Sequence, residues 1–173
     1  MRPFLAGALL LLFPAVLLAQ DDAPPIRRTL GNLTLGQTFQ EVQQLYAPAK
    51  DWASSIEKRT GVRRFRLERT DAKSFPEHVQ ILWLSFKNGR LVEIQLVYDR
   101  AFTRKRAAEN LAVDLAIVYG EPHRSSGKFW WSDDRTVLRV FDEMISASPG
   151  KTQAVELRTA IQVLEAEIFR RAQ

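Results

Sequence analysis

The 173-residue chain contains no cysteine. This absence excludes disulfides, thiolate zinc sites, iron–sulfur clusters and a cysteine nucleophile. Histidine is almost as scarce: the two residues, His78 and His123, form no HxH or HxxxH pair of the kind that binds metals. We therefore expect no metal site, no cofactor and a fold that is stable through packing alone.

Two short motifs resemble catalytic signatures but are incomplete. Gly150-Lys151-Thr152 has the end of a phosphate-binding P-loop, but Ile145 stands where that motif requires a glycine. Ser125-Ser126-Gly127 follows His123 without the G-x-S-x-G turn that exposes a nucleophilic serine. We expect ordinary loops at both places, no catalytic residues and a protein that is not an enzyme.

The chain has one long hydrophobic run, at residues 1–19. It combines a positive start at Arg2 with an apolar stretch that ends at Ala19, and is followed by polar residues. This layout is typical of a secretory signal peptide, and the stretch is short for a membrane span. Cleavage after Ala19 is the first interpretation, and an uncleaved anchor is the alternative. Because no cysteine follows, we expect a periplasmic or secreted protein of the bacterial envelope without a lipid anchor.

The net charge of +5 is modest and favours anionic neighbours without identifying one. Arg104-Lys105-Arg106 falls at the N-terminus of a helix that we predict over 103–119, where the helix dipole disfavours cations. The cluster is either a solvated face or a patch that contacts an anionic membrane surface. Nucleic acid is not expected as a partner outside the cytoplasm.

Local signals predict the elements of the first half. Residues 20–32 are polar and contain two prolines, so we expect a flexible leader with order beginning near Leu33. Thr38 and Glu41 form a capping-box pattern that starts a helix, and period-two alternation from Val62 predicts a strand. Asn88-Gly89 is the preferred turn pair of a two-residue hairpin.

An uninterrupted register through this hairpin assigns its two faces. It pairs Ser85 with Val92, Trp83 with Ile94 and Ile81 with Leu96 on the face that we place under the helices. The opposite face is too apolar to lie in water, so either another segment covers it or it meets a partner. Its candidate binding residues are Leu82, Leu84, Phe86 and Val97.

In the second half, Gly120 is a fitting cap for the helix over 103–119. Segments 128–131 and 136–144 predict a hairpin in which Trp130 and Trp131 point to opposite faces. One of these tryptophans is expected in the core, and the other could stack on a sugar ring. Residues 154–158 are predicted as a strand before a helix over 159–171, with one long helix from Thr152 as the alternative.

The two helices end in similar ways before their strands, which suggests a tandem α-β-β repeat with halves 33–102 and 103–173. We therefore predict one α+β domain over 33–173, an antiparallel sheet with helices packed on one face. Leu35-Gly36-Gln37-Thr38, Glu41-Val42 and Tyr46-Ala47-Pro48 resemble the helix opening of the outer-membrane-assembly lipoproteins BamE or SmpA/OmlA, and of beta-lactamase-inhibitor-like tandem domains. The resemblance implies an α/β interaction domain without a catalytic site, while the missing lipoprotein cysteine departs from the assembly family.

Three functions follow from these features. The first is a non-catalytic periplasmic binding or protein-interaction module with an unidentified envelope protein as its partner. The second is an envelope hydrolase or carbohydrate-binding protein that uses Trp130 and Trp131, and the third is peripheral membrane contact through Arg104, Lys105 and Arg106. The sequence leaves the oligomeric state open.

Overall fold

The computed structural model describes residues 24–58, 60–146 and 155–172. The predicted signal peptide and the Gly150-Lys151-Thr152 motif lie outside these residues. The helices are α1 (Phe39–Leu45), α2 (Arg100–Lys105), α3 (Ala108–Tyr119) and α4 (Ala166–Ala172), with a short 3-10 helix at Arg69–Asp71. The strands are β1 (Thr29–Leu30), β2 (Leu33–Thr34), β3 (Ser54–Glu57), β4 (Val62–Glu68), β5 (Val79–Lys87), β6 (Arg90–Tyr98), β7 (His123–Ser125), β8 (Lys128–Ser132), β9 (Thr136–Ser146) and β10 (Val155–Glu165).

The molecule is dominated by one antiparallel sheet of eight strands in the order β3-β4-β5-β6-β10-β9-β8-β7. Strands β1 and β2 form a separate two-stranded sheet. The predicted α+β class is therefore wrong, because helices account for only 24% of the structure. The α-β-β unit is wrong as well: four strands follow α1 and four follow α3, and the two sets meet where β6 pairs with β10.

Several local predictions are confirmed. Thr38 caps α1, its side chain accepting from the Glu41 N–H while the Glu41 carboxylate accepts from the Thr38 N–H. Asn88 and Gly89 connect β5 and β6 with positive φ angles of 50° and 76°, which a two-residue hairpin turn requires. Gly120 ends α3 with φ of 78°. Short-range hydrogen bonding and backbone preference are enough to determine these features.

The faces of the β5–β6 hairpin differ from the prediction because the register contains two irregularities. Phe86 pairs with Leu91 but Ser85 pairs with Glu93, so Val92 is an extra residue on β6. Ile81 pairs with Val97 but Val79 pairs with Tyr98, which leaves an extra residue on β5. Each extra residue reverses the alternation of side chains beyond it.

The main core lies between one face of the sheet and helices α1 and α3. This face, called the core face below, carries the fully buried Leu82, Leu84 and Leu91, and Val42 of α1 packs in the same cluster. An aromatic group around Phe65 adds to it, with Phe39 stacked on Phe65 at 5.0 Å between ring centroids. The predicted assignment of Ile81, Trp83 and Ser85 to this face is therefore wrong.

Residues 24–32, which belong to the leader predicted for 20–32, contact the sheet. Ile26 is 6% exposed and belongs to the main core cluster. Its N–H donates to the Asp133 carboxylate at 2.9 Å, and Arg28 forms an ion pair with Glu165 at 3.0 Å. The Ile26 side chain, this hydrogen bond and this ion pair together hold the segment against the sheet.

The second half contains two more corrections. The predicted helix over 103–119 is two helices, because α2 ends at Lys105 and α3 begins at Ala108. Strand β10 continues to Glu165, so both the predicted helix over 159–171 and the long-helix alternative are wrong, and only α4 remains helical. The apolar residues after Leu157 also fit the spacing of a helix, because the strand that contains them is buried on both faces and carries apolar residues on each.

Candidate functional site

The second face of the sheet, opposite the core face, carries a group of polar side chains at its centre. They come from β4, β5, β6, β10 and β9, which are neighbours in the sheet. Four of them are buried, although polar side chains usually face solvent. The four buried residues are Ser85, Glu93, Gln95 and Gln162.

Glu93 is the centre of this group. Its carboxylate accepts hydrogen bonds from the Ser85 hydroxyl and from the Gln162 amide, each at 2.5 Å. The Arg64 guanidinium lies 3.4 Å from the same carboxylate and forms an ion pair with it. These partners compensate the cost of burying a carboxylate, which is large for an unpaired charge.

The network continues to both sides of Glu93. The Gln162 carbonyl accepts from the Arg139 guanidinium at 3.0 Å. The Gln95 carbonyl accepts from Arg64 at 3.4 Å, while the Gln95 amide donates to the Glu143 carboxylate at 3.3 Å. A chain of three hydrogen bonds thus joins the two arginines, from Arg139 through Gln162 and Glu93 to Arg64. We call Arg64, Ser85, Glu93, Gln95, Arg139, Glu143 and Gln162 the polar network.

Strand register places these residues together. Gln162 lies directly opposite Gln95 on one side and Arg139 on the other. The extra residue Val92 brings Glu93, and not Val92, opposite Ser85. Cross-strand partners on one face are close enough to interact, so the register alone forms most of the network.

A pocket of about 550 Å³ lies over the polar network. Its apolar wall includes Phe141, with Ile168 and Phe169 from α4. The Arg139 guanidinium lies 5.3 Å from the centre of the Phe141 ring and 5.7 Å from that of Phe169. The volume is within the range that small-molecule sites occupy, and a mixture of apolar walls with a few polar groups is typical of such sites.

The pocket contains equal numbers of positive and negative side chains. The cations are Arg64, Lys128 and Arg139, and the carboxylates are Glu57, Glu93 and Glu143. Burial lowers the pKa of Arg139, and the nearby charges of Glu93 and Glu143 oppose that shift. A guanidinium stays charged even then, because its ordinary pKa is far above neutral. The site can therefore offer both charge signs to a bound molecule.

The predicted apolar surface is not exposed. Leu82, Leu84 and Phe86 are all 4% exposed or less and lie in the main core cluster under the helices. Val97 is also buried, but on the second face beside Ile81 and Phe141. The structure does not bring these four residues together as a surface that a partner could reach, because Val97 lies on the opposite face from the other three.

The two tryptophans are also separated. Trp131 is 4% exposed and donates from Nε1 to the Gly120 carbonyl at 2.7 Å. Trp130 is half-buried and stacks on His123 at 5.5 Å between ring centroids. Neither tryptophan lines the pocket over the polar network, although Trp131 borders a smaller cleft of about 190 Å³.

The basic cluster lies at the opposite end of a helix from the one predicted. Arg104 and Lys105 are in the last turn of α2 and Arg106 is its C-cap, where the helix dipole favours cations. Arg106 also forms an ion pair with Asp114 at 3.1 Å. The cluster therefore has a structural explanation that needs no membrane.

The pocket residues were not identified from the sequence. The available signal was the presence of Glu93, Gln95 and Gln162 within strands that are otherwise apolar. Converting that signal into a site requires the register of five strands. Two of them, β5 and β6, carry an irregularity, and a third, β10, is mistaken for a helix.

Comparisons with protein-family models, with curated proteins and with solved structures found no match. Within the described ranges, no helix has the length and apolarity needed to cross a membrane. The same ranges contain no group of three or more acidic or histidine side chains placed to hold a metal ion.

Proposed function

We propose that this chain is a non-catalytic binding module exported to the bacterial envelope, and that its binding site is the pocket over the polar network. The observation that supports the proposal most directly is the hydrogen-bonded chain Arg139–Gln162–Glu93–Arg64, whose two central residues are buried, beneath a pocket of about 550 Å³. Export rests on the signal-peptide pattern of residues 1–19.

The burial of polar groups supports a recognition role. An apolar sheet face of similar shape would be at least as stable, because replacing a buried ion pair by apolar residues is often neutral or stabilising. A connected polar network instead holds its side chains in one arrangement, which suits a site that must present donors and acceptors in fixed positions.

The state of Glu93 supports binding over catalysis. A general base needs a carboxylate oxygen within reach of the proton it removes. The oxygens of Glu93 are engaged by Ser85, Gln162 and Arg64. A group held in this way orients its neighbours and leaves little capacity for proton transfer.

Site-specific photo-crosslinking tests the proposal on the full chain in a bacterial host. Benzoylphenylalanine is placed at the pocket residues Ile168 and Ile56, and intact-mass analysis detects an adduct of either a small molecule or a protein. We expect the same adduct from both positions, because both border one pocket.

The matched control is Ile117, which is 83% exposed on α3 at the other side of the sheet. Ile117 should give no such adduct. The absence of any adduct from Ile168 and Ile56, or an equal adduct from Ile117, would overturn the proposal.

A further inference from the structure

The carboxylates of the pocket differ in how completely they are engaged. Glu93 accepts two short hydrogen bonds and an arginine contact. Glu57 accepts from the Thr60 hydroxyl at 2.6 Å. Glu143 accepts only the Gln95 amide at 3.3 Å, and among the described residues it has no ion-pair partner within 4 Å. Glu143 is therefore the carboxylate with capacity to receive a cation.

The cations show a similar difference. Arg64 is held against Glu93 and stacks over Trp83 at 4.4 Å. Among the described residues Arg139 donates one hydrogen bond, to Gln162, although a guanidinium has five N–H donors. Lys128 is exposed and, within the described part of the chain, forms no ion pair; its Nζ lies 5.6 Å from the Phe141 ring centre. Arg139 and Lys128 therefore have donors available for an anion.

These available groups lie along one wall of the pocket. Arg139, Phe141 and Glu143 alternate on the second face of β9, and Lys128 is the cross-strand partner of Phe141. The backbone positions of Arg139 and Glu143 are about 14 Å apart, because they are four residues apart at about 3.4 Å per residue. The wall thus presents a cationic end, an aromatic ring and an anionic end in sequence.

We infer that the pocket binds a small zwitterion with an apolar part, such as an amino acid or a short peptide. Its carboxylate contacts Arg139 and Lys128, its ammonium contacts Glu143, and its apolar part packs on Phe141 and Phe169. A simple anion would meet the negative charge of Glu143, which has no direct ion-pair partner among the described residues, and a simple cation would meet Arg139 and Lys128. This inference rests on the proposed function and names the ligand class of the same site.

Calorimetry on the purified chain tests it with four probes. Two are zwitterions with different charge spacing, L-phenylalanine and glycyl-L-phenylalanine. The other two keep the aromatic ring but one charge only, N-acetyl-L-phenylalanine and L-phenylalaninamide. We expect at least one zwitterion to bind at least tenfold more tightly than both single-charge probes. The zwitterion that binds more tightly shows which distance between ammonium and carboxylate fits the wall.

Two variants test which pocket residue contacts each charged end of the ligand. Lys128→Gln and Glu143→Gln change exposed or half-buried side chains, and thermal melting confirms that each variant is folded. Each should weaken the zwitterion about five- to tenfold, and Glu143→Gln should leave N-acetyl-L-phenylalanine unchanged or tighter. Lys73→Gln and Glu109→Gln, at exposed positions outside the pocket, should leave every affinity unchanged.

The outcomes separate this inference from the proposed function. Equal binding of a single-charge probe and the zwitterions would overturn the zwitterion assignment. Failure of all four probes would also overturn it. In either case an adduct from Ile168 and Ile56 in the crosslinking experiment would still support the proposed binding module, and the absence of that adduct would overturn both proposals.

Discussion

The Asp133 carboxylate accepts a hydrogen bond of 2.9 Å from the backbone N–H of Ile26, 107 residues earlier in the chain. The same carboxylate accepts from the N–H groups of Arg135 at 2.9 Å and Thr136 at 2.7 Å. One side chain therefore closes the turn between β8 and β9 and also fixes the N-terminal segment to it.

This arrangement predicts a pH-dependent contribution of Asp133 to stability. Partial burial raises the pKa of Asp133, but the N–H groups of Arg135, Ile26 and Thr136 outweigh it and hold that pKa below its ordinary value. A lowered pKa in the folded state stabilises the fold above the unfolded-state pKa of about 3.9, and the contribution disappears as the pH falls through the lower value. Asp133→Asn should lower the free energy of unfolding by about 1–2 kcal/mol at pH 7, and the difference should shrink below pH 4.

Urea unfolding of both proteins at pH 7 and pH 3 measures that difference. Asp134→Asn, at the exposed neighbouring position, should change stability little at either pH. A constant deficit of Asp133→Asn at both pH values would contradict the assigned role of the charge.

Ile26 provides the second prediction. Its side chain is 6% exposed within the main core cluster, so Ile26→Ala leaves a cavity. We expect a loss of about 2–4 kcal/mol in the free energy of unfolding, measured in urea. Arg27→Ala, at the adjacent exposed position, is the matched control and should have almost no effect. Equal stability of the two variants would mean that residues 24–32 do not contribute to the core.

Gln162 provides the third prediction. Its amide donates to Glu93 and its carbonyl accepts from Arg139, so Gln162→Ala leaves two charged groups with one partner fewer. We expect a loss of about 1–3 kcal/mol, because an unsatisfied buried polar group is costly. Gln40→Ala on the exposed side of α1 is the control, expected within about 0.5 kcal/mol of wild type. If Gln162→Ala leaves the free energy of unfolding unchanged, water can replace the hydrogen bonds that Gln162 makes in the network.

Val92 provides the fourth prediction. Because it is the extra residue on β6, its deletion leaves Leu91, Glu93 and Ile94 on their present faces. We expect this variant to fold cooperatively with a loss of about 1–3 kcal/mol from the missing buried side chain. Deletion of Gln95 instead forces Leu96 onto the wrong face or Glu93 into the core.

Circular dichroism and thermal unfolding distinguish the two deletions. Deletion of Gln95 should abolish the cooperative transition. If deletion of Val92 has the same effect, the register described for β5 and β6 is wrong.

The fold was predictable where adjacent residues determine the structure. Thr38 with Glu41, Asn88 with Gly89 and Gly120 each act through their own backbone, so their sequence signals are sufficient. The face on which a strand residue lies is harder to predict. One extra residue, such as Val92, moves every later side chain of the strand to the opposite face, and no local sequence preference indicates its position.

The site was beyond prediction for the same physical reason. Glu93 and Gln162 are 69 residues apart and meet only because β6 pairs with β10, a strand whose apolar spacing also fits a helix. Charge clusters gave misleading signals: Arg104 and Lys105 lie at a helix C-terminus once α2 and α3 are separated.

The position of β10 has a consequence for the order of folding events. Strand β10 is the last of the described strands along the chain, yet it lies at the centre of the sheet between β6 and β9. Strands β3 to β6 and β7 to β9 can each pair as hairpins without β10, but they form two separate sheets until residues 155–165 pair with β6 and β9. During that interval β6 and β9 are open edges with free backbone groups, and long-range pairing is slow. The pairing that removes these two edges also supplies Gln162, so the same event joins the two half-sheets and completes the pocket.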